Sequence, residues 1–375
     1  MSLRAEIALA FLIAGFGSMS APAAAQATLI SENEVILGET RQFVLRSKKL
    51  GRDMRITVAA PSAGGQVFRR AHSQDVKLPA IYALDNGWEI AGPIAQMMSN
   101  VGAMSPAYVV SIAYAGVNMR EADFTFIAVK QDNHSFGDNG ENLLAFLTDE
   151  LRPFLASRYP IDPSQSVLFG HSLGGLFTAT VLARKPDTFS GYIIGSAPLQ
   201  FDPSIVSGLA ATSKRGAGKR VFIAAGDKEE ANVVEGVSKM AAALGDSSFK
   251  VEKRLYPNEG HISFYARWTP EAFAFVLPQP VRYDDGVKLT ASELDRIPGV
   301  YRTPDGRVFT FLRDGEKLIA RMTGIPGQSE IKAASAAKFF IQGYDSVIEF
   351  DLPASGPATG AVMRFNGVEL RATRQ

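Results

Sequence analysis

Val167-Leu168-Phe169-Gly170-His171-Ser172-Leu173-Gly174 decides how this chain is read. An apolar run enters the segment, Gly-x-Ser-x-Gly forms its centre, and the helix-forming stretch Leu176 to Arg184 leaves it. A serine hydroxyl becomes a usable nucleophile when it is held at the tip of a sharp strand-to-helix turn, beside a base and at the positive end of a helix. Glycines two before and two after Ser172 predict close backbone passage at that turn, and the amide of Leu173 is left pointing where an oxyanion would form. The bland alternative is a Gly-rich turn with an incidental serine. Partners further along the chain decide against it.

A serine nucleophile needs a base, and the base needs an orienting carboxylate. His261, in Glu259-Gly260-His261 just past the β-rich run Val251 to Leu255, is the candidate base. The carboxylate is expected from Gly226-Asp227-Lys228-Glu229-Glu230, after the run Val221 to Ala225. Three acids compete there. Spacing from the strand-ending glycine selects Glu229, with Asp227 second and Glu230 third. The order Ser, acid, His along the chain suits the elbow. A second oxyanion amide is expected on the loop Asp85-Asn86-Gly87-Trp88, with Gly87 as the choice and Trp88 as either pocket wall or core. Asn-Gly is also an ordinary turn pair. His171 is expected to pack beside the nucleophile, and His72 and His134 read as loop histidines.

The bulk composition excludes several other classes. Net charge is +1 from 39 basic and 38 acidic residues, with no basic run to suggest nucleic acid. With no cysteine there is no disulfide, thiolate metal site or cysteine nucleophile, and the four histidines lack metal-ligand spacing, so neither metal nor cofactor is expected. Residues 1–25 read as a cleavable export signal, from Arg4 through the apolar Ile7 to Phe16 and ending at Ala23-Ala24-Ala25. Its apolar part is too short to span a bilayer, and no later stretch is long and apolar enough to do so. A periplasmic or secreted protein is therefore expected, its mature chain starting near Gln26. Nothing in the residues fixes an oligomeric state.

With 375 residues, 46% of them hydrophobic, the chain can bury one large core and a second small one. From about residue 35 to 280, β-rich runs alternate with helical patterns: Phe43 to Leu45, Met54 to Ala60, Pro79 to Leu84, Tyr108 to Ala113, Val167 to Phe169, Tyr192 to Ile194, Val221 to Ala225 and Val251 to Leu255. The middle runs are nearly all apolar, as parallel strands covered on both faces are. Glu141 to Arg158 reads as the clearest helix, capped by Asp138 or Asn139 and bent at Pro153. The whole predicts an α/β fold with a doubly wound, mostly parallel sheet over residues 26–280, antiparallel at its beginning. After Pro278-Gln279-Pro280 and a brief helical stretch at Ala291 to Arg296, alternation takes over in Arg307 to Leu312, Leu318 to Met322, Lys338 to Gln342, Val347 to Phe350 and Ala361 to Phe365. Turns at Asp305-Gly306 and Asp314-Gly315 separate them, which predicts an antiparallel β-barrel-like module over 290–375.

Together these residues resemble the putative-esterase family of α/β-hydrolases, particularly its enterochelin and salmochelin esterase-like branch. The resemblance is carried by Ser47-Lys48-Lys49-Leu50-Gly51, Ile81-Tyr82-Ala83-Leu84-Asp85, Arg120 with Asp123-Phe124-Thr125, Glu150-Leu151-Arg152-Pro153-Phe154, Gly170 to Phe177, Pro186-Asp187-Thr188-Phe189, Gly226-Asp227-Lys228-Glu229 and Gly260-His261. It implies Ser172 as nucleophile, His261 as base, Glu229 as acid, the Leu173 and Gly87 amides as oxyanion hole, and Arg120 as a substrate-binding residue. The bland role for Arg120 is a salt bridge to Asp123 or Glu121. The family often reads Leu-Leu-Asp-Gly where this chain has Leu84-Asp85-Asn86-Gly87, and no arginine cluster of the kind an anionic catecholate calls for is evident. The tail resembles the small β module found behind some serine hydrolases. The expectation is an exported serine esterase acting on a small-molecule ester, either a siderophore-like catecholate ester or a feruloyl or acetyl ester of a carbohydrate. A non-catalytic ligand-binding protein on the same fold is the alternative from another class.

Overall fold

The computed structural model describes residues 40–61, 77–85, 88–100, 103–131, 134–216, 218–245, 248–278, 282–365 and 368–375. Eight strands form the main sheet: β1 (Thr40–Arg46), β2 (Asp53–Ala59), β3 (Leu78–Leu84), β4 (Tyr108–Tyr114), β5 (Ile161–His171), β6 (Gly191–Gly195), β7 (Arg220–Gly226) and β8 (Lys250–Tyr256). Their order across the sheet is β1-β2-β4-β3-β5-β6-β7-β8. Only β2 runs against its neighbours, pairing antiparallel with β1 and β4, while β4 through β8 are mutually parallel. This is the expected α/β-hydrolase sheet. The chain leaves β3 toward β4 on one side and crosses to β5 on the other, so the topological switch lies between β3 and β5, where open α/β sheets form their ligand crevice.

The middle strands alternate side chains between two apolar clusters, which explains why their sequences read as continuous apolar runs. Ile56, Tyr82, Val110, Leu168, Ile194 and Ile223 enter one, together with Leu176, Phe177 and Val181 of α3 (Leu173–Arg184) and Val237 and Met240 of α5 (Ala231–Ala243). Ile81, Val109, Phe169, Ile193 and Phe222 enter the other, against Ala91 and Ala95 of α1 (Trp88–Asn100) and Trp268 and Phe273 of α6 (Tyr265–Val276). Burying each side chain of this size contributes about 1.5–3 kcal/mol.

The expected long helix, α2 (residues 140–156), is not a bent α-helix. It opens as α-helix over Gly140–Ala145, widens to a π-helical turn over Phe146–Leu151, and resumes at Arg152–Ala156. The wide turn directly precedes Pro153, whose missing amide would break the regular ladder, so the register changes there instead. Asn139 occupies the cap position, but its side chain donates to Asp123 Oδ1 at 2.6 Å rather than to the helix. Ile205 and Leu209 of α4 (Ser204–Thr212) join the first of the two apolar clusters.

Thr290 and Glu293 form a reciprocal cap on the turn Ala291–Leu294, after which the chain closes an eight-stranded antiparallel barrel. Its strands are β9 (Gly299–Arg302), β10 (Val308–Asp314), β11 (Lys317–Met322), β12 (Ser329–Ala333), β13 (Lys338–Phe340), β14 (Ser346–Asp351), β15 (Gly360–Phe365) and β16 (Val368–Arg374). Pairing of β9 with β16 completes the ring, and closure leaves no exposed sheet edge. Tyr301, Phe311, Phe339 and Phe350 pack edge to face inside it. Residues 279–281, where the pattern breaks in the sequence, lie outside the described residues, as does the expected export signal at 1–25. Among the described residues no helix is long and apolar enough to cross a membrane.

Candidate active site

Ser172 follows β5 at the switch point with φ 58° and ψ −124°, a conformation L-residues rarely adopt, and α3 begins at the next residue. Its amide donates to the Gly195 carbonyl at 2.9 Å. Two glycines make the turn possible. A Cβ on Gly170 would lie 2.0 Å from the Gly174 carbonyl oxygen, and one on Gly175 would lie 2.3 Å from that of Gly195. The second tight glycine is therefore Gly175 and not Gly174, whose nearest neighbour would be Asp85 Oδ2 at 3.3 Å.

The other elements arrive at the same edge of the sheet. Glu229, on the loop after β7, accepts from the amide of Gly226 at 2.9 Å and from Ser196 Oγ at 2.7 Å through Oε1, while its Oε2 lies 2.6 Å from His261 Nδ1. Its side chain is 2% exposed against 45% for His261, so the acid is enclosed and the imidazole faces the cleft. Burial pushes the Glu229 carboxyl up, but the bonds from His261, Ser196 and Gly226 outweigh it and hold the group below the usual carboxylate range. Asp227 stands elsewhere: it accepts from the Asn258 amide at 2.8 Å and pairs with Lys228 at 3.6 Å. Glu230 is the residue before α5.

The acid loop and the histidine loop are knitted together by Lys228 N to Glu259 O at 2.9 Å and Asp227 N to Tyr256 O at 3.0 Å. Gly226 is needed for that approach, since a Cβ there would fall 2.2 Å from the Glu259 carbonyl oxygen. Behind His261 lies the buried ring of His171, 4.5 Å away between centroids, itself against Phe264, Tyr265 and Trp268. Burial, and after it the neighbouring His261, push the His171 imidazole down to about 3, and its Nε2 has no hydrogen-bond partner among the described residues. It is a neutral wall for the imidazole. Ser172 and His261 face a common cleft without a hydrogen bond between them among the described residues, as is usual before substrate draws such pairs together.

Arg120 reaches this cleft from the one-turn helix Arg120–Asp123. Its bonded carboxylate is not Asp123. Arg120 makes a two-pronged bond with Asp85 at the end of β3, 2.9 Å from Nε to Oδ1 and 2.9 Å from Nη2 to Oδ2. Asp123 is instead buried beneath, accepting from Arg52 at 3.1 Å, Tyr114 at 3.0 Å and Asn139. Asn86 and Gly87 lie outside the described residues, as does the side chain of Trp88, whose backbone opens α1. The Leu173 amide is at the first position of α3.

Two hollows meet at Ser172. One, of about 520 Å³, is lined by Arg55, Tyr114, Asn118, Ile262 and Tyr265. The other, of about 570 Å³, is lined by Phe136, Pro198, Gln200, Phe201 and Lys228. Ser172, His261 and Arg120 border both. Among the described residues no group of three His, Asp or Glu side chains is placed to hold a metal ion. Ser196 is the residue that sequence reasoning missed; its signal was a small polar residue directly after the β6 strand, in Gly195-Ser196-Ala197-Pro198.

Residues 47–281 match the family model described as putative esterase. The ferri-bacillibactin esterase BesA of Bacillus subtilis (strain 168) is 28% identical over 228 residues, spanning 53% of this chain and 78% of that protein. Among solved structures, an IroE-like serine hydrolase from Shewanella oneidensis aligns with a TM-score of 0.54 at 20% identity, covering 63% of this chain and 79% of its own. The siderophore hydrolase EstB of Aspergillus nidulans aligns with a TM-score of 0.52 at 21% identity, covering 67% and 99%. These two share the fold.

Proposed function

The chain belongs to the putative-esterase family of hydrolases, and from that premise we propose that it hydrolyses carboxylic esters through an acyl-enzyme on Ser172. The Ser172 hydroxyl attacks the ester carbonyl while His261 Nε2 takes its proton. Glu229, ionised and bonded to Nδ1, fixes the tautomer and stabilises the imidazolium. The amides of Leu173 and Gly87 receive the developing oxyanion. Collapse expels the alcohol with the proton from His261, and a water activated by the same imidazole frees the acid. The observation that carries this reading is the 2.6 Å bond between Glu229 and His261 beside a serine held at φ 58°.

Siderophore esters are the substrate class we favour, because the curated relative BesA bears the name ferri-bacillibactin esterase. Residues 1–25 act in this reading as an export signal, which puts the enzyme in the periplasm or outside the cell. The test is turnover of a triscatecholate lactone beside p-nitrophenyl esters of rising acyl length, by the parent protein and by Ser172→Ala. The parent should hydrolyse both kinds, with kcat/KM higher for the lactone, and the variant should lose at least about 10³-fold in kcat. A folded variant that retains more than about a tenth of parental kcat overturns the nucleophile. Turnover of simple esters alone overturns the substrate class.

A further inference from the structure

Three cations border the two hollows at Ser172, and two of them are already neutralised. Asp85 gives both carboxylate oxygens to Arg120, and Asp227 pairs with Lys228. Arg55 has no carboxylate partner among the described residues, although its side chain is partly buried in the wall of the 520 Å³ hollow. Its place follows from strand direction. Because β2 runs antiparallel to β4, with Met54 opposite Tyr114 and Arg55 opposite Ala113, the start of β2 lies beside the ends of the parallel strands, where the catalytic residues gather. Met54 and Ile56 turn into one core, so Arg55 emerges on the other face.

Half-burying a guanidinium strips part of its hydration, a cost that is recovered only when an anion with matching oxygens meets it. Among the described residues no side chain supplies such an anion to Arg55. The opposite hollow is different in kind, walled by Phe136 and Phe201, whose rings are 4.6 Å apart. We propose that Arg55 is a specificity residue that pairs with an anionic oxygen group of the substrate, such as a carboxylate, on the side of Ser172 away from Phe136 and Phe201. The inference rests on the serine-esterase reading, since it assigns one hollow of that site.

Two matched pairs of esters test it. Mono-p-nitrophenyl adipate against p-nitrophenyl hexanoate carries the charge on the acyl side, and 4-acetoxybenzoate against phenyl acetate carries it on the alcohol side. In one pair the parent should favour the anionic member, and Arg55→Gln should cut that ratio of kcat/KM about tenfold to a hundredfold, chiefly through KM. Arg55→Lys should restore part of it, and added salt should lower it in the parent. No anionic preference in either pair, or a preference that survives Arg55→Gln, overturns the assignment while leaving ester hydrolysis standing. Calorimetric binding of monomethyl adipate and 4-acetoxybenzoate to Ser172→Ala, with and without Arg55→Gln, gives the same comparison without turnover. If neither anion binds, or both bind as tightly without Arg55, the assignment also fails, whatever the protein's activity on esters.

Discussion

The α/β sheet and the barrel solve their turns in opposite ways. In the barrel and the segment leading into it, every left-handed residue described is a glycine: Gly286, Gly306, Gly315, Gly324, Gly327, Gly343 and Gly356. In the sheet domain Gly51 and Gly218 take that conformation too, but so do four non-glycines, Asp85, Ser172, Ser196 and Asn258, each of which follows the end of a parallel strand. Each costs about 1–3 kcal/mol and persists only where surrounding bonds over-determine it. All four belong to the site. Ser172 is the candidate nucleophile, Ser196 holds Glu229, Asp85 holds Arg120, and the Asn258 amide ties the histidine loop to Asp227. Relaxed turns run through the barrel, and the strained ones cluster where Ser172, Glu229 and Arg120 are held.

The largest break in this comparison should come from the acid. Glu229→Gln removes the charge that orients His261 and should lower kcat by about 10²–10⁴, whereas Asp227→Asn, two residues away on a bond to a backbone amide, should stay within about threefold. Steady-state kinetics on one p-nitrophenyl ester suffice, and a larger loss from Asp227→Asn would move the role to that residue. Ser196→Ala and Gly315→Ala should each cost roughly 1 kcal/mol in denaturant unfolding, one by stripping a donor from a buried carboxylate and the other by placing a Cβ at φ 61°. Only Ser196→Ala should also lower kcat, about tenfold. Equal effects on kcat would erase the contrast between the two regions.

The buried His171 gives the sheet domain a pH dependence. Its folded pKa of about 3 lies below that of the unfolded chain, near 6.5, so the unfolded state binds the extra proton between those values. The contribution is therefore full above about pH 6.5 and is lost as pH falls toward 3. Between pH 7 and pH 5 the parent should lose about 2 kcal/mol from this group, and His171→Phe should flatten that part of the profile. An unchanged slope in the variant would mean that His171 is not held neutral. The smallest effect is expected from the barrel. We propose that residues 26–280 and 290–375 divide the work, so a chain ending near residue 280 should keep turnover of a small ester within about threefold. A folded, soluble truncation without turnover would show that the barrel completes the site.

Much of this was legible in the residues, for reasons that differ by feature. The middle strands of the sheet, such as Leu78–Leu84, Tyr108–Tyr114, Gly191–Gly195 and Arg220–Gly226, were visible because a parallel strand buried on both faces must be apolar throughout, whereas Thr40–Arg46 and Lys250–Tyr256 are more exposed and were read from short β-rich runs. Glu229 was selected by its spacing from Gly226, a local constraint. The Arg120–Asp85 pair was not visible, because it joins residues 35 apart that only the meeting of β3 with the helical turn at 120–123 brings together. Three barrel strands were also missed, Gly299–Arg302, Ser329–Ala333 and Val368–Arg374. Each is a short or heavily charged strand whose place is set by pairing with neighbours, and Ser329–Ala333 carries Glu330 and Lys332 on the outside of the ring.

Active-site labelling measures the central claim most directly. The full chain, treated with a fluorophosphonate and digested, should carry a single adduct on the peptide that holds Ser172, formed far more slowly in Glu229→Gln and absent in Ser172→Ala. An adduct on another residue, or ester hydrolysis that continues with Ser172 unmodified, would contradict the account.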